Sequence, residues 1–131
     1  LLDHFVCRRS HDLCYTDVNE SYSRGEFDEE VDEVKRILEM RFYTYYTDPQ
    51  LLKFIIKPLV NDVINKPVGL HVYSCHDVTV LSILYLFEKK VWEWPDYAAY
   101  VVVEIEEEEV EVFYKGDRIW KGKVKEVEGM L

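Results

Sequence analysis

The sequence predicts an α/β fold, and two observations carry that prediction. Between Leu70 and Lys90 a short apolar run hands over directly to a helix-length apolar stretch, the order of a strand followed by a helix. Past Trp94 and Pro95 the hydrophobic repeat changes from three- and four-residue steps to alternation, which marks strands with two unlike faces. Of the 131 residues, 48% are hydrophobic and 15% aromatic, enough for one core and too many for a disordered chain.

Residues 1–27 lack a period and are rich in Ser, Asp, Arg and Gly, which predicts a loop-dominated segment. From Phe27 a helix is predicted, because Val31, Val34, Ile37, Leu38 and Phe42 recur at helical spacing. Asp28, Glu29 and Glu30 load its first turn, and Lys35, Arg36 and Arg41 follow, an order that suits the helix dipole. A second helix starts at Thr47-Asp48-Pro49-Gln50, where two caps are open. Either Asp48 caps with proline at the first helical position, or Thr47 and Gln50 form a capping box. Leu51, Leu52, Ile55, Leu59, Val63 and Ile64 give it a broad apolar face, Pro58 is expected to kink it, and Pro67 and Gly69 end it.

Leu70 to Cys75 reads as a strand with His76-Asp77 at its end. Val78 to Lys90 reads as a helix so apolar that more than one side must be buried. Tyr100 to Glu106 and Val110 to Tyr114 alternate as strands. Lys115-Gly116-Asp117 is a turn signal, and Arg118 to Val124 is a third strand of the resulting meander.

Sixteen basic against twenty-six acidic residues give a net charge of −10, which argues against nucleic acid and anionic membranes as partners. No apolar run approaches the roughly 18 residues of a membrane helix, so no membrane span is expected. Cys7, Cys14 and Cys75 form no C-x-x-C and no zinc spacing, so neither a metal nor another cofactor is expected. Cys7 and Cys14 are candidates to pair with each other or with a segment outside this sequence; Cys75, in an apolar strand, is expected to be buried. A first residue of Leu1 and no signal segment predict a piece of something longer.

Chemistry concentrates where strand, His76-Asp77 and helix meet. Ligands of open α/β sheets bind beyond the carboxyl ends of strands, and a helix start offers unpaired N–H groups that favour an anion such as phosphate. There, His76 is a candidate phosphate donor and Asp77 a candidate general acid. The same residues also fit a purely architectural role, Asp77 capping the helix and His76 closing the core edge.

Leu70-His71-Val72-Tyr73-Ser74-Cys75-His76-Asp77-Val78-Thr79-Val80-Leu81 resembles the second active-site motif of the histidine acid phosphatases, branch two of the histidine phosphatase superfamily. In that motif an apolar strand leads through Tyr-Ser-x-His-Asp-x-Thr into an apolar helix. The family's later Pro-x-Tyr-Ala segment, entering a strand that ends in glutamate, is similar to Pro95-Asp96-Tyr97-Ala98 running on to Glu104. The resemblance is clear over Leu70 to Tyr114 and faint over Leu51 to Lys66, and Cys7-Arg8-Arg9 is loosely similar to a cysteine-arginine segment of the family's helical region. It implies the C-terminal segment of a histidine-phosphatase-like domain, with the core strand-helix unit, a terminal β-meander and flanking helices. It also implies a metal-free phosphomonoesterase that works through a phosphohistidine. Asp77 would protonate the leaving alcohol, His76 would hold the phosphoryl oxygens, and Thr79 would help position the pair. The family's nucleophile lies in an N-terminal Arg-His-Gly motif, and none of His4, His11, His71 and His76 stands between arginine and glycine. The expected partners are therefore a phosphorylated small molecule and the missing N-terminal half of the same domain. Relatives in secreted or lysosome-like compartments lend that location to the expectation, and Asn19-Glu20-Ser21 is a compatible glycosylation acceptor.

Other features carry less. His11-Asp12 has no strand before it and no apolar helix after it. Arg8-Arg9 reads as a solvated loop or a salt bridge to the acidic turn at Asp28. The six glutamates from Glu104 to Glu111 read as a charged hairpin edge, and Trp92 and Trp94 as packing under a loop. Two other functions stay open: a catalytically inactive phosphatase-like binding module, and an independent acidic adaptor domain. The adaptor predicts a self-sufficient sheet, whereas the phosphatase segment predicts an exposed apolar face awaiting the rest of its domain.

Overall fold

The computed structural model describes Cys7, His11 and residues 24–88 and 94–131. They fall into two units, Leu1–Arg41 and Phe42–Leu131. The elements are α1 (Arg24–Thr47), α2 (Pro49–Ile64), α3 (Asp77–Glu88), β1 (Val101–Glu106), β2 (Glu109–Tyr114), β3 (Asp117–Lys123) and α4 (Val124–Met130). This is a mixed α/β arrangement, as the change of hydrophobic period predicts.

In the first unit, Val31 is buried, whereas Val34 and Ile37 from the same stripe are about half exposed. Arg36 donates through Nε and Nη2 to both carboxylate oxygens of Glu33, one turn earlier, at 2.9 and 2.8 Å. The bidentate pair lowers the Glu33 carboxyl below its ordinary range.

In the second unit, the cap of α2 resolves in favour of Asp48. Its Oδ1 accepts from the backbone N–H groups of Gln50 and Leu51, both at 2.9 Å, with Pro49 as the first helical residue. Thr47 instead donates its hydroxyl to the carbonyl of Tyr43. Asp48→Ala should cost about 0.5–2 kcal/mol in urea unfolding, and Asp48→Ser should restore most of it. The helix runs continuously through Pro58, which lies on its exposed side, where solvent can reach the carbonyl the proline ring leaves unbonded.

The sheet is an antiparallel meander in the order β1-β2-β3. Glu107 and Glu108 turn the first hairpin, with Glu107 at a left-handed φ of 56°. Lys115 and Gly116 turn the second with φ of 51° and 95°, the positive pair that the lysine-glycine signal requires. Between Val112 and Phe113 the pairing to β3 slips by one residue, from Trp120 to Arg118. Val110 and Val112 point into the core and are completely buried. Leu52, Ile56 and Val60 of α2, Leu86 and Phe87 of α3 and Val127 of α4 meet them there, so the helices cover one face of the sheet. The Phe87 and Trp120 rings lie 5.2 Å apart, tilted by 47°. The apolar wrap of α3 has the predicted consequence: Leu81, Ser82, Leu84, Leu86 and Phe87 are all buried.

Three expectations need correction. Leu70 to Cys75 is not a strand: it joins no ladder among the described residues and lies exposed, with Leu70 at 92% and Val72 at 85%. Apolar alternation supplies a strand's composition, but a strand exists only in a ladder that satisfies its backbone groups. Cys75 is accordingly an exposed free thiol, not a buried one. Third, the chain past Lys123 is a helix, where the sequence reading ended on a strand through Val124; Val127 is its fully buried anchor. The expected loop of residues 1–27, Cys14, Asn19 and Arg8-Arg9 lie outside the described residues, apart from Cys7, His11 and the start of α1.

Candidate active site

The site is built on the first turn of α3. The His76 carbonyl accepts from the N–H groups of Thr79 (3.0 Å) and Val80 (3.2 Å), so His76 caps the helix through its backbone and its exposed ring is left for other work. Asp77 is the first helical residue. Its Oδ1 accepts from the N–H of Val78 at 2.7 Å, and its Oδ2 accepts from the indole Nε1–H of Trp94 at 2.9 Å. The side chain of Asp77 is exposed, so the carboxyl faces solvent and not the core. Thr79 is half-buried and meets the pair through its backbone.

Trp94 is the participant that the sequence reading assigned to packing. Its half-buried ring does pack, against Phe42 of α1 at 6.0 Å between centroids, but its N–H ends on the candidate acid. An indole N–H taken from water needs an acceptor, which was the available hint; nothing in sequence says which acceptor seventeen residues away will serve.

The extended run before the site is tethered at two points. His71 donates from Nε2 to the carbonyl of Pro67 at 2.9 Å. Tyr73 donates its hydroxyl to Asp62 Oδ2 at 2.7 Å, while Lys66 pairs with Asp62 Oδ1 at 3.0 Å. The bond to Asp62 raises the Tyr73 phenol to about 12, and the bonds from Tyr73 and then Lys66 lower the Asp62 carboxyl. The raised phenol contributes stability below about pH 10, its ordinary value, that is lost as pH rises through about 12. The lowered carboxyl contributes stability above its unfolded value, near 3.9, that is lost as pH falls through its folded value. In an ultraviolet phenolate titration one tyrosine should therefore ionise near pH 12. Asp62→Asn should return it toward about 10; an unmoved late transition would deny the tether.

The glutamate-rich hairpin is a charge ladder. Glu104 faces Glu111 and Glu106 faces Glu109 across the strands, a destabilising match of like charges. Lys121 bonds both Glu109 and Glu111, and Arg118 reaches Glu111, which holds the Glu111 carboxyl low. Among the described residues no three His, Cys, Asp or Glu side chains are arranged to hold a metal, and no helix is long and apolar enough to cross a membrane. His11 is exposed and its N–H bonds the Cys7 carbonyl; Asp12 and Trp92 lie outside the described residues.

A cavity of about 230 Å³, lined by Leu52, Ile56, Tyr85, Leu86 and Met130, lies elsewhere. Tyr85 is eight residues along α3 from Asp77, about 12 Å, so this hollow serves the core and not the His76-Asp77 pair. No family model matches the chain, and neither the curated proteins nor the solved structures contain a match to it.

Proposed function

We propose that the chain is the C-terminal part of a histidine acid phosphatase-type domain and supplies its proton donor. The observation that carries this reading is the exposed carboxyl of Asp77 beside His76 at a helix start, inside the motif that resembles the family's. In the complete protein the nucleophilic histidine attacks phosphorus as the ester P–O bond breaks. The departing oxygen takes the proton of Asp77, leaving a phosphohistidine and a carboxylate. That carboxylate then accepts a proton from the water that attacks the phosphohistidine, releasing phosphate and restoring both groups. His76 offsets charge on the phosphoryl oxygens. A phosphorylated small molecule is the substrate class.

The exposed surface supports a missing half. Val68, Leu70 and Val72 stand almost fully in solvent, and the outer edge of β1 has no partner among the described residues. An exposed apolar run of this kind is a feature a self-sufficient domain avoids, which weighs against the adaptor reading. The alternative of a catalytically inactive phosphatase-like module rests on one observation, the lack of any Arg-His-Gly in this sequence. The upstream reading frame separates the two: Arg-His-Gly followed by arginines supports the enzyme, and their absence supports the inactive module. The 131-residue chain alone should not hydrolyse an aryl phosphate; turnover that survives His76→Ala would overturn the proposal.

A further inference from the structure

We infer that Trp94 is a positioning residue for the acid, an assignment that rests on the reaction proposed above. An exposed aspartate on a helix end ordinarily swings about two torsions, and a proton donor that wanders loses most of its advantage. Asp77 is held at both oxygens: Val78 N–H on Oδ1 at 2.7 Å and Trp94 Nε1–H on Oδ2 at 2.9 Å. The bond from Val78 comes from the adjacent residue and moves with the same backbone, so the external restraint is the indole.

That restraint is itself braced. The Trp94 ring lies against Phe42 at 6.0 Å with a 48° tilt, Phe42 packs on Tyr46 at 6.3 Å, and the next residue, Pro95, is buried. An indole N–H donates and never accepts, so its bond fixes the direction of Oδ2 and leaves the proton to the remaining lone pairs of the carboxyl. Each carboxyl oxygen keeps a second lone pair, so the acid can carry its proton while both bonds stand.

Trp94→Phe tests this, because an aromatic ring remains to pack against Phe42 while the donor is lost. In the complete protein, turnover of an alkyl phosphate, whose leaving group needs the proton, should fall roughly 10-fold. Turnover of 4-nitrophenyl phosphate should fall much less, with KM for both within about 2-fold. Equal losses for the two esters, or no loss, would overturn the assignment. Asp77→Asn run beside it separates the failures: if it shows the ester-selective loss and Trp94→Phe does not, the positioning role alone falls; if Asp77→Asn shows none, the acid role falls with it. A readout free of catalysis uses the complete protein, in which the indole ¹⁵N–¹H resonance of Trp94 should move on Asp77→Ala while that of Trp120 stays. An unmoved Trp94 signal would remove the contact.

Discussion

Asp77→Asn in the complete protein should lower turnover of an alkyl phosphate by roughly 10²- to 10⁴-fold, the usual share of a general acid. Asparagine keeps the size of the side chain and can still accept from Val78 or Trp94, so the first turn of α3 and the Phe42–Trp94 contact should persist. What disappears is the transferable proton. Steady-state kinetics, with circular dichroism as a check on folding, measure it. KM should change far less than kcat, since the proton moves only as the ester bond breaks.

Leu86→Ala should carry the largest cost in stability. Leu86 is 1% exposed and sits among Ile56, Val110, Val112 and Val127, where helices and sheet meet. Truncation there loses the transfer energy of the removed carbons and leaves a void beside the existing 230 Å³ hollow, for an expected loss of about 2–5 kcal/mol. Phe54→Ala is the control. It removes a larger side chain from the same unit, but Phe54 is 82% exposed, so the change should stay within about 0.5 kcal/mol. Urea unfolding followed by far-ultraviolet circular dichroism measures both. Equal costs would mean that the core is elsewhere.

What the sequence disclosed follows from the range of the interactions involved. The Asp48-Pro49 start of α2, the Lys115-Gly116 turn and the alternation of β1 and β2 are set within four or five residues, and each is found where its local chemistry puts it. The helix at Val124–Met130 is not legible in the sequence because three apolar residues and Gly129 in seven positions give too short a period, and its existence depends on Val127 finding the sheet. Leu70 to Cys75 misled for the opposite reason: its composition is right for a strand, and only a partner can make it one. At the site, His76-Asp77 was visible as adjacent residues before an apolar helix. The indole that fixes the carboxyl comes from beyond that helix, and no local pattern links the two.

Rapid-quench detection of the phosphohistidine tests the central claim most directly. Under the proposed scheme Asp77→Asn leaves the nucleophile of the complete protein untouched. The intermediate should still form quickly from 4-nitrophenyl phosphate, whose phenolate leaves unaided, and hardly at all from an alkyl phosphate. If both esters phosphorylate that variant equally fast, or if the unaltered protein forms no phosphohistidine from either, Asp77 is not the group that protonates the departing oxygen.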